Sequence, residues 1–177
     1  ENGVRVVRRL SGGGAVYHDM GNLNFTFIAD AGDMESINFR LFCRPVVTAL
    51  AKIGVTAEIN GRNDMTIDGQ KFSGNSQYLK EGRVMHHGTI MFDSNLDLVA
   101  QALHVDQEKI RAKGIASVRS RVTTVRRHMA SPVTLEEFRS LLLREILEQQ
   151  PGDEYVFTEE DKAQIAQLRA ERYATWE

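Results

Sequence analysis

The 177-residue sequence has one cysteine, one tryptophan and three prolines. A lone thiol, Cys43, closes no internal disulfide, and no C-x-x-C or H-E-x-x-H spacing occurs, which argues against a disulfide framework and a zinc site and suits a reducing cytoplasm. No apolar run approaches the roughly 18 residues of a spanning helix, and no segment reads as a signal peptide, so neither membrane attachment nor secretion is expected. Repeats and low-complexity tracts are missing too. An initiator Met is also lacking, while Val4, Val6 and Val7 already alternate as in a strand. The expectation is therefore a fragment or a trimmed chain. What remains is the composition of one globular domain: 42% hydrophobic residues, with 22 basic side chains against 24 acidic ones. A chain of this length buries roughly 70% of the surface that its unfolded form exposes, enough for a core without staples.

Charge is scarce in neither sign but unevenly placed. Residues 1 to 128 carry 17 basic and 13 acidic side chains, whereas residues 129 to 177 carry 5 and 11. Between Lys109 and Arg127 there are seven cations and no carboxylate. A solvated helix face usually mixes both signs, so a polyanion near this stretch is the sharper reading beside a plain basic surface. Nucleic acid is the weaker candidate, because the pI is near 6.3 and no aromatic occurs between Phe92 and Phe138. A phosphorylated small molecule fits better.

Val4 to Leu10 and Leu23 to Ala29 read as strands around a glycine-rich break. Asp33 is placed to cap a helix running to about Lys52, with Met34, Ile37, Leu41, Val47 and Leu50 on one side; Pro45 should kink or divide it. Strands are expected around Thr56 to Ile59, Met65 to Ile67, Lys71 to Ser73 and Val84 to Phe92, with Asp68-Gly69 as a tight hairpin turn. A short helix from Asn95 to Leu103 follows. Two later helices begin at Thr134 with Glu137 and at Thr158 with Asp161, both at capping-box spacing. The fold class is α+β: a mixed, mostly antiparallel sheet flanked by helices.

Several small groups of residues carry possible chemistry. Ser11-Gly12-Gly13-Gly14-Ala15 follows Arg8-Arg9; consecutive glycines let backbone N–H groups converge on an anion, and guanidinium groups can fork onto its oxygens. The same glycines would serve equally as a hairpin loop. The run is neither a P-loop, which needs a Lys after the glycines, nor a Rossmann turn, which opens a helix. Lys71 sits just ahead of Ser73-Gly74, small residues that permit close approach. Asn63-Asp64 supplies an amide and a hard carboxylate of the kind that holds Mg²⁺ together with phosphate oxygens, although Asn-Asp is also ordinary turn chemistry. His86 and His87 occupy consecutive strand positions, so they face opposite sides; one suits the core and the other a ligand. Cys43, on a helix, reads as buried and inert, and Trp176 with Tyr173 as packing residues.

Taken together, Arg8 to Asn22, Gly61-Arg62-Asn63-Asp64, Lys71-Phe72-Ser73-Gly74, His86-His87-Gly88-Thr89 and Lys113 to Thr123 resemble the lipoate-protein ligase A family over nearly the whole chain. The resemblance implies one biotin/lipoate ligase-like catalytic domain over residues 1–177, without an upstream segment or a downstream accessory domain. It implies activation of lipoate by ATP to lipoyl-AMP and transfer of the lipoyl group to a lysine of an acceptor lipoyl domain, in 2-oxoacid dehydrogenase complexes or the glycine-cleavage H protein. Lys71 is then the catalytic cation. Arg9, Ser11, Gly12, Gly13, Gly14, Ala15, Val16, Tyr17, His18, Asn63, Asp64, Ser73, Gly74, His87, Gly88 and Lys113 would bind ATP or lipoyl-AMP, with Asp64 toward Mg²⁺. Residues 113–121 would be a loop closing over the adenylate. ATP-independent transferases of related fold carry a nucleophilic cysteine near Ile110 to Gly114, which is absent here. That transferase activity and a non-catalytic homologue that binds lipoyl domains are the alternatives.

Overall fold

The computed structural model describes residues 4–32, 38–61, 63–103, 121–149 and 151–175. Five strands, β1 (Asn22–Asp30), β2 (Glu58–Asn60), β3 (Asp64–Ile67), β4 (Gln70–Lys80) and β5 (Arg83–Met91), form one sheet in the order β1-β5-β4-β3-β2. All four pairings are antiparallel, and the parallel component is an isolated bridge between Lys71 and Val122. Among the described residues the helices are α1 (Phe39–Lys52), α2 (Leu96–Ala102), α3 (Leu135–Gln149) and α4 (Glu159–Leu168), the last followed by a π-helical turn over Arg169–Tyr173, and a short 3-10 turn spans Val125–His128. Among the described residues no helix is long and apolar enough to cross a membrane.

Turn and cap chemistry explains where the elements stop. Asp68 and Gly69 take φ of 50° and 76°, the left-handed pair that a two-residue hairpin demands. Thr134 and Glu137 exchange bonds at the start of α3, the Glu137 amide donating to the Thr134 hydroxyl and the Thr134 amide to the Glu137 carboxylate. Thr158 and Asp161 do the same for α4. The Asn38 side chain accepts from the Leu41 amide at the start of α1, whereas Asp33, the expected cap, lies outside the described residues.

Three expectations need correcting. Val4 to Leu10 forms no strand: Val4, Val6 and Val7 are exposed, and among the described residues no strand lies beside them to take up their backbone groups. Pro45 does not divide α1, which continues through it. The face that α1 buries is Phe42, Cys43, Val46, Ala49 and Leu50, while Leu41 is mostly exposed. An interior proline costs about 3 kcal/mol, and burying several apolar side chains at about 1.5–3 kcal/mol each outweighs it.

Alternation gives the sheet two different faces. In β5, Val84, His86 and Ile90 are buried, whereas Met85, His87, Thr89 and Met91 are partly open. The closed face packs with α1 and α3 through Met65, Phe72, Ile90, Phe92, Leu50, Phe138 and Leu142. His86 belongs to this core. It stacks on Phe42 at 4.9 Å, its Nδ1 accepts from the Gln77 amide at 2.8 Å, and it is fully buried. Burial, with a smaller contribution from the neighbouring His87, pushes its pKa down to about 4.

Because the folded-state value is depressed, the unfolded chain binds a proton that the folded chain refuses between about pH 6.5 and 4. Stability should therefore be complete above that window and fall by on the order of 3 kcal/mol as pH drops through it. Urea unfolding at about pH 7 and about pH 4.5 tests this, with His86→Leu expected to remove that part of the pH dependence.

Candidate functional site

The open face of the sheet carries the chemistry. Register puts Gly74 opposite Thr89, Ser76 opposite His87 and Asp64 opposite Gly74, so these residues share the face turned away from α1. Residues 9–17 pass along it and enclose a cleft of about 340 Å³. Its lining includes Arg9, Gly12, Gly13, Gly14, Ala15, Val16, Tyr17, Asn63, Lys71, Gly74 and His87, with Val99 and Leu103 from the α2 region as an apolar wall. The triple-glycine bend and the lysine thus share one cleft.

Arg9 braces the glycine loop. Its Nη2 donates to the Gly12 and Gly14 carbonyls at 3.0 and 2.9 Å and its Nε to the Ser11 hydroxyl at 3.2 Å. The Ser76 hydroxyl also donates to the Gly12 carbonyl, tying the loop to β4 at 3.0 Å. In a trans peptide N–H points opposite to C=O, so the amides of Gly13 and Ala15 are directed away from Arg9. Gly13 takes φ of 119°, which only glycine adopts without strain. Arg8 does not line this cleft: it borders a neighbouring recess with Glu171 and Tyr173, onto which Arg9 also opens.

Ser11, buried beneath the loop, pairs with His87 Nε2. The Ser11 oxygen accepts from Arg9, and its hydrogen can go to the imidazole when Nε2 carries no proton. Burial, and then the charge of Arg9, lowers the His87 pKa, which favours the neutral ring. The two histidines accordingly divide as expected, His86 to the core and His87 to the cleft.

Lys71 Nζ lies 2.6 Å from Asp64 Oδ1, with both side chains a little over one-third exposed. The small residue beside it has a different purpose from the one expected. A Cβ on Gly74 would meet Lys71 Nζ at 3.0 Å and Cε at 3.1 Å, so the glycine makes room for the lysine's own side chain. Asp64 does not line the cleft itself but a second recess of about 490 Å³, which it shares with Lys71, Asn60, Thr66 and Arg121. Asn63 is held by reciprocal bonds: its Nδ2 donates to the Asn75 carbonyl, and Asn75 N and Nδ2 both donate to the Asn63 carbonyl.

Not every expected residue faces the cleft. Ser73 is fully buried and accepts from Asn75 Nδ2 at 3.4 Å. His18 is paired with Asn22 and opens, with Gly88, onto a neighbouring groove of about 460 Å³. A side chain at Gly88 would collide with Asn75 and Phe25, so this glycine serves the packing of the sheet. Of the basic stretch, Lys109, Arg111, Lys113 and Arg119 lie outside the described residues, as does Trp176. Arg126 pairs with Asp93 at 2.8 Å. Cys43 is buried and its thiol is pushed up to about 11 by that burial. Asn75 and Ser76 were not anticipated. Their one signal in sequence is that they extend the polar run after Lys71, and a polar run inside a strand marks a face that meets something other than core.

A family model described as the lipoyl protein ligase A/B catalytic domain matches residues 1–147. Lipoate-protein ligase LplJ of Bacillus subtilis is 52% identical over 181 residues, covering 100% of this chain and 54% of the relative. A structure of an archaeal lipoylation system, a bi-partite lipoate protein ligase and its E2 lipoyl domain from Thermoplasma acidophilum, aligns with TM-score 0.85 at 32% identity, over 99% of this chain and 70% of that one. A crystal structure of lipoate-protein ligase A bound with ATP aligns with TM-score 0.82 at 28% identity, over 98% and 71%. The chain spans about half the length of the curated relatives it matches. With sequence and backbone in agreement over most of its residues, the chain belongs to the lipoyl protein ligase A/B catalytic-domain family.

Proposed function

We propose that the 177 residues form a single catalytic domain of an ATP-dependent lipoate-protein ligase. The observation that carries this reading is that the Lys71 ammonium and the braced glycine loop open on one cleft. A carboxylate and a triphosphate repel one another, and cations with pre-oriented N–H donors are what such a reaction requires. The lipoate carboxylate oxygen attacks the α-phosphorus, the α–β phosphoanhydride bond breaks, and pyrophosphate leaves with its electron pair. The amine of an acceptor lysine then attacks the lipoyl carbonyl, the carbonyl carbon–oxygen bond to phosphate breaks, AMP leaves, and the ammonium loses a proton to give the amide. Lys71 stabilises the negative charge that develops in both steps.

Arg9, Ser11, Gly12 to Tyr17, Asn63 and His87 are assigned to nucleotide and adenylate binding, Ser11 and Arg9 through the loop they hold. Ser73, Gly74 and Gly88 act by shaping the strands beneath, and His18 by bordering the adjoining groove. Lys113 would close over the adenylate from outside the described residues. Among the described residues no group of three His, Cys, Asp or Glu side chains is placed to hold a metal. Magnesium needs no such cage, because it takes one or two carboxylates together with phosphate oxygens, and Asp64, in the recess next to the cleft and paired with Lys71, offers one. There it would neutralise phosphate charge. The ATP-bound relative supports ATP as a substrate, and the neighbour with its E2 lipoyl domain supports lipoyl domains as acceptors; we assign these to 2-oxoacid dehydrogenase complexes or the glycine-cleavage H protein. A cytoplasmic setting fits the single, buried thiol. A thioester route through Cys43 is disfavoured, since a thiol at about 11 in the core is neither ionised nor reachable.

Exchange of labelled pyrophosphate into ATP should occur only when lipoate or octanoate is present, and Lys71→Ala should slow it by on the order of 10²-fold or more. Exchange indifferent to lipoate, or equal rates in the variant, would remove the ligase reading in favour of a binding homologue. Gly13→Ala strains φ and pushes into Arg9 Nη2. It should raise KM for ATP by about tenfold with a smaller change in kcat, read from the same exchange assay. Gly74→Ala displaces the lysine tip instead, and should lower kcat with KM for ATP little changed.

A further inference from the structure

The backbone of Lys71 is bonded from behind to that of Thr123, whose side chain is linked in turn to His128 and Asp68, and the reading above uses none of the three. Thr123 is buried, and its backbone N–H donates to the Lys71 carbonyl at 2.9 Å, next to the bridge between Val122 and Lys71. The Thr123 hydroxyl lies 2.8 Å from His128 Nε2, and His128 Nδ1 lies 3.1 Å from Asp68 Oδ2. A carboxylate only accepts, so Nδ1 carries the proton, and in the neutral ring Nε2 accepts from the Thr123 hydroxyl. Every link then has one donor and one acceptor. Asp68 can reach His128 because it occupies the first corner of the β3–β4 turn with φ of 50°.

The connectivity is that of a carboxylate, an imidazole and a hydroxyl in series, an order used elsewhere to activate a nucleophile. Thr123 is only 2% exposed, so its oxygen attacks nothing. Its amide, however, is bonded to the residue whose side chain crosses Gly74 to the cleft. We propose that Asp68, His128 and Thr123 are positioning residues: together they fix residues 122–123 against the start of β4, and so set the angle at which Lys71 leaves the sheet. The inference rests on Lys71 being the charge-stabilising group of a ligase. It assigns a purpose to an Asp-Gly turn that needs only to reverse the chain, and to a histidine within a stretch of cations.

The test uses the protein at its full natural length. Thr123→Val keeps the shape and the amide bond but removes the hydroxyl, and Asp68→Ala removes the far end of the series from a largely exposed site that tolerates change. Each should lower kcat of lipoate-dependent pyrophosphate exchange about tenfold with KM for ATP within about twofold, whereas Thr123→Ser and Asp68→Asn, which retain the oxygen needed, should recover to within about threefold of the parent. In Asp68→Ala, hydrogen exchange at the Thr123 amide should accelerate about tenfold, the Asn75 amide should stay unchanged, and the Lys71 ¹³Cε resonance should move. An unaltered Thr123 amide and Lys71 resonance would overturn the proposal, as would altered signals with kcat within twofold of the parent. Equal losses in the conservative variants would overturn it too, because they would reveal a packing role rather than a hydrogen-bonded one. Should the parent protein catalyse no lipoate-dependent exchange, the ligase reading falls; the amide and carbon signals then decide separately whether the series holds Lys71.

Discussion

An ammonium group kept at the edge of an open cleft needs a counterion, and the pairing of Lys71 with Asp64 answers that need. Two unit charges about 4 Å apart attract by about 4 kcal/mol at the effective dielectric of a protein surface, but measured pairs at exposed sites contribute only about 0–1 kcal/mol once solvent and side-chain entropy are counted. With both groups more than one-third exposed, the pair is weak enough to yield to a polyphosphate, which offers several oxygens in place of one carboxylate. The same weakness means that the pair alone does not place the lysine. Placement comes from the backbone, through Thr123 behind and the space above Gly74 in front.

The division of the sheet into a core face and a cleft face follows from the period of two along each strand, and His86 and His87 are its sharpest instance. Their opposition is readable from adjacency alone. Which one faces the core is not, because that depends on the register of β5 between β1 and β4, which brings Phe27 and Gln77 opposite His86. The Asp68-Gly69 turn and the Thr134 and Thr158 caps were legible for the opposite reason: their partners lie within three residues, so local sequence contains the whole interaction.

Where sequence misled, the deciding term was long-range. Val4 to Leu10 has strand composition, but a strand exists only where a neighbour accepts its hydrogen bonds, and among the described residues none does so. Pro45 carries a helix-breaking signal, yet the apolar face of α1 against the sheet outweighs one lost bond. At the site, five separated stretches of sequence identify most of the cleft lining, and the resemblance they carry names the reaction. Neither gives the partners. Arg9 read as a fork for a ligand's oxygens, whereas its Nε and Nη2 are bonded to the loop. Gly74 read as clearance for a substrate and is clearance for Lys71.

These two reassignments have a common physical sense. Donors aimed at developing charge are effective in proportion to how little they must reorganise when it appears, and a run of three glycines is the least organised backbone a chain can offer. Its freedom permits the unusual φ at Gly13 but would be lost on binding, at a cost to affinity. Arg9 and Ser76 remove that freedom beforehand by fixing the Gly12 and Gly14 carbonyls, so the amides of Gly13 and Ala15 keep their directions without a ligand. A lysine has the converse difficulty, a fixed backbone and a tip with many rotamers, and the groove over Gly74 with Asp64 at its end narrows the choice. Flexible parts with external braces thus give this cleft what a rigid scaffold would otherwise supply.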